Sequence, residues 1–597
     1  MKNKNTLTLE LFNVVEKGQS QEPVFIDSHG VFVDSTAVYA IKDIKKHLKN
    51  LKLSGNELNK TFHKSWKTVV NSTRLELAIQ QIMHYLSTYG SNFESEMYIP
   101  DEVLKVPKTK LKVSVIKSLT KEELIEKSLD VLRSGIALKE ETLNDLFELL
   151  GVLGYKFSGD ENIKNKEANL LIAIRYRVYP ESVEEFVRYL VYRATQSSSL
   201  VKNNELFDSI KESNTDISLD LESYDMKKVA QVFNRFKPIF LSFKQAHKNN
   251  KKYINKLAKL SKVYHKPMPQ NALNLVTQNK LTENDTHWLD NASIYALFKA
   301  LSACYTRMNG QDTFVYRIRN GKSFVKSNDV NTKVVKANYK FLLNYLKTKL
   351  NGEGKNVFIP KQVVYALPTS EKLFVGNIPT GTKFLAKKIA AGIYWENSWG
   401  ATDLDLSGLN IAGKIGWNSS YYNDNGNLIY SGDLTYAEDG AVEYLHASKG
   451  KLNPTLVMNN VYSGKHDAGY KIVIGEGSKI DRDFMMNPNK VLAEVKCNSV
   501  QKNTVLGMLM EENDNMKSFT LLNFGAGQAR VSGNNKVSKN ATTALYQQWS
   551  KPMSLNTVLE QCGFTVLHEK EDDVELYADL SLDNLTKSTF IDLFKQD

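Results

Sequence analysis

The spacing of apolar residues changes character about 350 residues into the chain. Before that point the period is helical. Leu75, Ile79, Ile82, Met83 and Leu86 recur at three and four residues, which predicts an amphipathic helix ending near Gly90. The basic segment IKDIKKHLKN suits another helix, among short β-like runs at 23–26 and 31–33. LTKEELIEKSLDVLRSG and KEETLNDLFELLGVLG predict two more over 119–153. Thr120 three residues before Glu123 has the form of a capping box, and Gly135 and Gly151 are placed as helix stops. Residues 164–193 predict two helices meeting at Pro180, with Glu181 and Glu184 in the first turn of the second. Residues 200–224 are polar and predict a loop. At 100° per residue, Ile254, Leu257 and Ala258 share one side of a helix, and Lys252, Lys256 and Lys259 share the other. Asn320-Gly321 between alternating apolar residues predicts a β-hairpin near 314–326, with Arg317, Arg319 and Lys322 as a basic ribbon. One further helix fits 333–350.

After the turn-rich NGEGK (351–355) the texture becomes β. Runs such as VFIPKQVVYALP, IAAGIYW, TLVMNNVY, KIVIGEG and SFTLLNFG, separated by Gly, Asn and Pro, predict an antiparallel sandwich. The last 55 residues return to helix around a strand pair, FTVLHE with VELYADL. The pattern therefore predicts a multidomain α+β chain: a mixed, mainly helical region over 1–115, an α-helical region over 116–350, and a β-sandwich with C-terminal helical elements over 355–597. A length of 597 residues agrees, being too long for one core.

Composition narrows the classes. Hydrophobic residues make up 42% and charged residues 24%, so a folded chain is expected rather than a disordered one. No run of 18 apolar residues occurs, so no membrane span is expected. The opening MKNKNTLTLELFNVVEKGQ has neither an apolar core nor a small-residue cleavage site, which argues against a secretory signal. Cys304, Cys497 and Cys562 are far apart and odd in number, which points to core thiols in a reducing, cytoplasmic compartment. The net charge of +12 is uneven: residues 241–350 hold 20 basic and 5 acidic residues, a net +15. Such a stretch is open to three readings: nucleic acid, an anionic surface, or the protein's own acidic C-terminal half.

The chemistry concentrates between Trp395 and Gly464. Thr402–Ser407 alternates, so Asp403 and Asp405 share one strand face and Leu404 and Leu406 the other. Two carboxylates at that spacing repel, and need solvent, a base or a cation. Asp424-Asn425-Gly426-Asn427 predicts a hairpin turn, and Ser431-Gly432-Asp433 and Glu438-Asp439-Gly440 with Glu443 add further acids. Ca²⁺ takes six to eight hard oxygen ligands, which this stretch offers, although not at EF-hand spacing. Gly321-Lys322-Ser323 ends like a phosphate-binding loop, but Tyr316 stands where that loop requires glycine. No zinc spacing, HExxH or GxSxG occurs.

DLDLSG, a tyrosine-rich strand, SGD and an acidic Gly turn with a Glu resemble the TerD superfamily of bacterial stress and tellurium-resistance proteins. The second cluster, SGDLTYAEDGAVE, departs from the family's usual glycine-rich acidic loop. NKEANLL, EEFVRYLVYRAT and INKLAKLSKVYHKP resemble the helical region of long bacterial proteins that carry such a module. The resemblance implies a β-sandwich binding Ca²⁺ through Asp403, Asp405, Asp433 and Glu443. It implies a non-enzymatic scaffold or assembly protein with protein partners or self-assembly, cytoplasmic, or in a virion if phage-encoded. Two alternatives stand beside it. One is an RNA- or DNA-binding protein using Lys252, Lys256, Lys259, Arg317, Arg319 and Lys322. The other is a metal-dependent enzyme using the acidic cluster.

Overall fold

The computed structural model describes the chain except residues 1, 27–28, 63–70, 74, 78, 81, 84–113, 201, 268–274, 276–280, 283–288, 291, 310–312, 318–322, 328–331, 449, 478–485, 513–515, 526–551, 571–573 and 596–597; at 313–317 and 323–327 it describes the backbone. Helices dominate the N-terminal half and antiparallel sheets the C-terminal half, as the two hydrophobic periods predict.

The first element is the Lys4–Phe12 helix, capped by Asn3, whose side chain accepts from the Thr6 amide. Beside it lies a four-stranded sheet in the order Val14–Glu16, Ser114–Leu119, Val31–Val33, Val24–Ile26. Ser114–Leu119 pairs in parallel with strands on both sides, so the boundary expected at 115/116 falls inside a hydrogen-bonded strand. The Ile41–Leu51 helix forms where the basic segment predicts it, burying Ile44 and Leu48. The stripe expected over 75–86 does not face the core. Leu75, Ile79, Ile82 and Met83 are exposed and Leu77 is buried in their place, while Leu86 lies outside the described residues.

The helices that follow begin and end by local chemistry. Thr120 and Glu123 complete the capping box of Lys121–Arg133 reciprocally: the Glu123 amide donates to Thr120 Oγ1 and the Thr120 amide to Glu123 Oε2. Gly135 follows that helix at φ +73°, but Gly151 lies inside Glu140–Val152, where Gly154 takes the left-handed turn instead. Lys166–Tyr176 and Val183–Thr195 flank Pro180 as predicted; the first-turn acids of the second are Glu184 and Glu185, with Glu181 ahead of its cap. Residues 200–224, expected as loop, hold the helices Asn204–Glu212 and Ser218–Ser223. Asn203 caps the first by accepting from the Leu206 amide, and Leu206 and Ile210, one turn apart, are buried. They join a helical core with Phe186, Phe240, Phe243, Ile254 and Leu257. The expected hairpin is present as Thr313–Arg317 paired antiparallel with Ser323–Ser327; its Asn320-Gly321 turn lies outside the described residues.

Two antiparallel sheets fill most of the C-terminal half. The seven-stranded sheet runs Gly413–Gly416, Ala401–Asn410, Thr455–Gly464, Asn503–Glu511, Lys517–Gly525, Lys383–Ala386, Val363–Val364. The six-stranded sheet runs Tyr422–Asn423, Leu428–Tyr430, Ala441–Ala447, Ile389–Trp395, Gly469–Glu476, Val491–Asn498. The sheets meet where Ala401–Asn410 approaches Ile389–Trp395 and Ala441–Ala447. The strand pair expected near the C-terminus is not a pair. Thr565–Leu567 and Ala578–Asp579 lie in parallel on opposite edges of Asn356–Phe358.

Residues 351–355 form the expected turn, with Asn351 and Gly354 at positive φ, but one cluster of buried side chains runs across it from Leu7 to Phe594. The C-terminal residues explain the continuity. Phe594 packs on Phe298 with ring centroids 4.8 Å apart, and the Lys587 amide donates to Leu11 O. Residues 53–60 strap the N-terminal region to the six-stranded sheet: the Leu53 amide donates to Glu494 Oε2, Tyr444 Oη to Leu58 O, and the Val442 amide to Lys60 O. Cys304 and Cys562 are buried and Cys497 half-buried, all as free thiols. Among the described residues no helix is long and apolar enough to cross a membrane.

Candidate metal centre

The strand Ala401–Asn410 brings Asp403 and Asp405 together as its alternation predicts, with the alternating Leu404 and Leu406 fully buried. Two register shifts against Thr455–Gly464 flank Asp403, a bulged geometry of the kind that re-aims side chains. Asp433 arrives from the other sheet, in the loop after Leu428–Tyr430. Gly432 ahead of it has φ +106°, a left-handed conformation that favours glycine. One oxygen from each of Asp403, Asp405 and Asp433 lies within 4.8 Å of the others. The side chains are 3%, 3% and 2% exposed, so the solvent that the sequence pattern left open as a screen is not there.

The electrostatics follow from this burial. Burial first, then the charges of Asp405 and Asp433, push the Asp403 carboxyl up to about 8. Asp405 is pushed up to about 7 by burial and Asp433, against the opposing pull of Asn460 and Lys414. Asn460 Nδ2 donates to Asp405 Oδ2 at 2.8 Å. Burial pulls the Lys414 ammonium down, and its Nζ donates to Asn418 Oδ1 at 2.6 Å. Among the described residues, Asp403 Oδ1 is buried with no hydrogen-bond partner. A buried carboxylate oxygen left so is costly unless a proton or a cation meets it.

Glu443 takes a different place from the one the resemblance implies. It is fully buried and is not grouped with the three aspartates. Its Oε2 accepts from the Leu406 amide and Tyr430 Oη, and its Oε1 from the Leu434 amide, each at 2.8 Å. Leu406 follows Asp405 and Leu434 follows Asp433, so one carboxyl pins the backbone beside two of the three aspartates and joins the two sheets. Ser431 anchors the other side of Asp433: its amide donates to Tyr444 O, and its Oγ accepts from the Tyr444 amide. The backbone beside Asp405 and Asp433 is therefore fixed.

The remaining acids are structural. Asp424 closes its predicted turn by accepting from the Asn453 amide, Asn453 Nδ2 and Asn410 Nδ2. Glu438 accepts from Tyr436 Oη. Asn460 and Tyr430 escaped the sequence reading; the only local signal for Asn460 is its place in TLVMNNVY, a strand that pairs with Asp405 through a non-local register. Away from this centre, Lys252, Lys256 and Lys259 are exposed, as the helical projection predicts. Arg317 lies on the hairpin's first strand, and Arg319 and Lys322 lie outside the described residues. Compared with known proteins, the chain matches no family model, no curated protein and no solved structure.

Three carboxylates in a closed site make a hard, anionic oxygen donor set. That chemistry suits Ca²⁺, Mg²⁺ or Mn²⁺ over softer, thiolate- or imidazole-seeking metals. Up to six oxygens come from Asp403, Asp405 and Asp433, and Glu443 holds the backbone beside Asp405 and Asp433 in place.

Proposed function

We propose that the chain is a non-enzymatic Ca²⁺-binding protein of the TerD type. In this reading the two antiparallel sheets form the family's β-sandwich, the aspartate triad is its ion site, and the helical half is a scaffold for protein partners or self-assembly in a cytoplasmic stress or phage setting. The observation that carries it is the buried, unpartnered Asp403 Oδ1 held beside two further carboxylates. A divalent cation supplies the counter-charge that burial denies these groups, and it joins strand Ala401–Asn410 to the Asp433 loop. Ca²⁺ is favoured over Mg²⁺ because it accepts irregular coordination, whereas Mg²⁺ demands near-ideal octahedral geometry and gives up water reluctantly.

The test is isothermal titration of Ca²⁺, and separately Mg²⁺, into the chelator-treated full-length chain. The expected result is one Ca²⁺ site, weaker Mg²⁺ binding, and loss of the Ca²⁺ heat in Asp405→Asn. Absence of Ca²⁺ binding, or an unchanged isotherm in the variant, overturns the assignment.

A further inference from the structure

From Met226 to Thr282 the chain has 13 basic residues and no acidic one. The structure shows how the centre of this tract is displayed. The Asn250–Tyr264 helix turns Ile254, Leu257 and Ser261 inward, and Asn250 fastens its start: Oδ1 accepts from the Ile217 amide, and Nδ2 donates to Thr215 O and Phe243 O. The opposite face carries Lys251, Lys252, Lys256, Lys259 and Lys262, all exposed. Among the described residues none of these five ammonium groups makes an ion pair. A helix rise of about 1.5 Å per residue spreads Lys252, Lys256 and Lys259 over roughly 10 Å on a support that does not need to fold on binding.

A second element extends the surface. The neighbouring helix Met226–Val232 exposes Lys227 and Lys228, and Lys227 Nζ sits 5.8 Å from the Tyr264 ring at the far end of the lysine face. Two acids border the start of the helix, where Asp216 accepts from Asn249 Nδ2 and faces His247 and Glu222 acts on Tyr253; Asp225, at the far end, caps the Met226–Val232 helix by accepting from the Lys227 and Lys228 amides. The lysine face thus has an acidic border at its start and a basic continuation at its end.

We infer that this face binds the phosphodiester backbone of nucleic acid, independently of the aspartate triad. Exposed ammonium groups in a row on one fixed helix, without ion pairs among the described residues, match a polyanion and carry no base-specific information. A membrane surface fits less well. The helix has its apolar side in the core and shows one strongly exposed apolar residue, Val263, whereas interfacial helices insert an apolar face. The protein's own acidic half is not the partner of these lysines either, since they face solvent.

The experiment is fluorescence anisotropy of the full-length chain with a labelled 20-nucleotide RNA and a 20-base-pair DNA, in chelator, between about 50 and 200 mM salt. Binding is expected with a log–log salt slope of about −2 to −4, from roughly 0.7 to 0.9 per phosphate neutralised. Lys252→Glu/Lys256→Glu/Lys259→Glu is expected to lose at least tenfold in affinity and to flatten the slope by about 2. Lys42→Glu/Lys45→Glu/Lys46→Glu, the same charge change on the Ile41–Leu51 helix, is expected to lose far less. The inference is overturned by absence of binding at about 50 mM salt, by equal loss in the two variants, or by an unaffected first variant. Tighter lysine-dependent capture by phosphatidylserine vesicles than by either nucleic acid also overturns it.

Discussion

Asp403→Asn separates the two effects that the aspartate triad combines. Asparagine keeps the shape and one oxygen of Asp403 and removes its charge. With chelator present, the folded state holds the Asp403 proton up to about 8, whereas the ordinary value is 3.8. The folded chain therefore binds more protons than the unfolded chain between those values, so stability is highest below pH 3.8 and falls as pH rises towards 8. At about 1.4 kcal/mol for each pH unit between the two values, the wild-type penalty at pH 8 is on the order of 5–6 kcal/mol. The asparagine variant does not bear it. In chelator at pH 8 the variant is thus expected to be more stable than wild type by that amount, with the gap closing towards pH 4. Ca²⁺ at about 100 times its Kd should restore roughly 2.7 kcal/mol to wild type and almost nothing to the variant. At pH 8 the ion should then narrow the gap between the two proteins by roughly 2.7 kcal/mol, and at pH 5, where the penalty is under about 2 kcal/mol, it should leave wild type the more stable. Urea unfolding followed by tryptophan fluorescence at pH 5 and pH 8, with Ca²⁺ or chelator, measures all four cases. Equal stability of the two proteins in chelator at pH 8 refutes the electrostatic reasoning, and equal Ca²⁺ stabilisation refutes the ion site.

Three further outcomes follow from named contacts. Glu443→Ala leaves two backbone amides and the Tyr430 hydroxyl without their acceptor; it should cost about 3–5 kcal/mol by urea midpoint and weaken Ca²⁺ binding by calorimetry, although Glu443 is not placed as a ligand. Normal Ca²⁺ affinity in a folded Glu443→Ala protein would remove its positioning role. Burial, helped by Lys388, pushes the fully buried His446 down to about 3 from 6.5; its contribution is present above 6.5 and lost as pH falls, amounting to about 2 kcal/mol at pH 5, so His446→Leu should flatten the stability profile between pH 6.5 and 5. Thr120→Ala opens the capping box and should lower the urea midpoint by an amount worth about 1 kcal/mol.

What the sequence makes legible is local. The capping box needs four consecutive residues, and the Asp403/Asp405 face needs strict alternation over six; both stand in the structure as expected. Asn203 also caps a helix, but inside a polar stretch whose apolar signal within that helix is Leu206, Phe207 and Ile210, so polarity outweighed the cap. The parallel partners of Asn356–Phe358 come from more than 200 residues away, and no local pattern announces them. The failed stripe at Leu75–Met83 shows the converse: a correct period does not say which side faces the core.

Glu443 is the instructive case, because its residue type and neighbourhood match those of a ligand. What decides its role is which atoms lie within reach. In Ala441–Ala447 it faces Leu406 across the junction of two sheets and Leu434 beyond its own strand, and those backbone amides approach before any cation can. A carboxyl that holds backbone donors on two sheets fixes the distance between Asp405 and Asp433 without touching what they bind. In the proposed ion site three side chains would then hold the cation, because the fourth acid does its work on the backbone behind them. Asp403 is flanked by register shifts and, among the described residues, has neither that amide clamp nor a hydrogen-bond partner for its buried Oδ1.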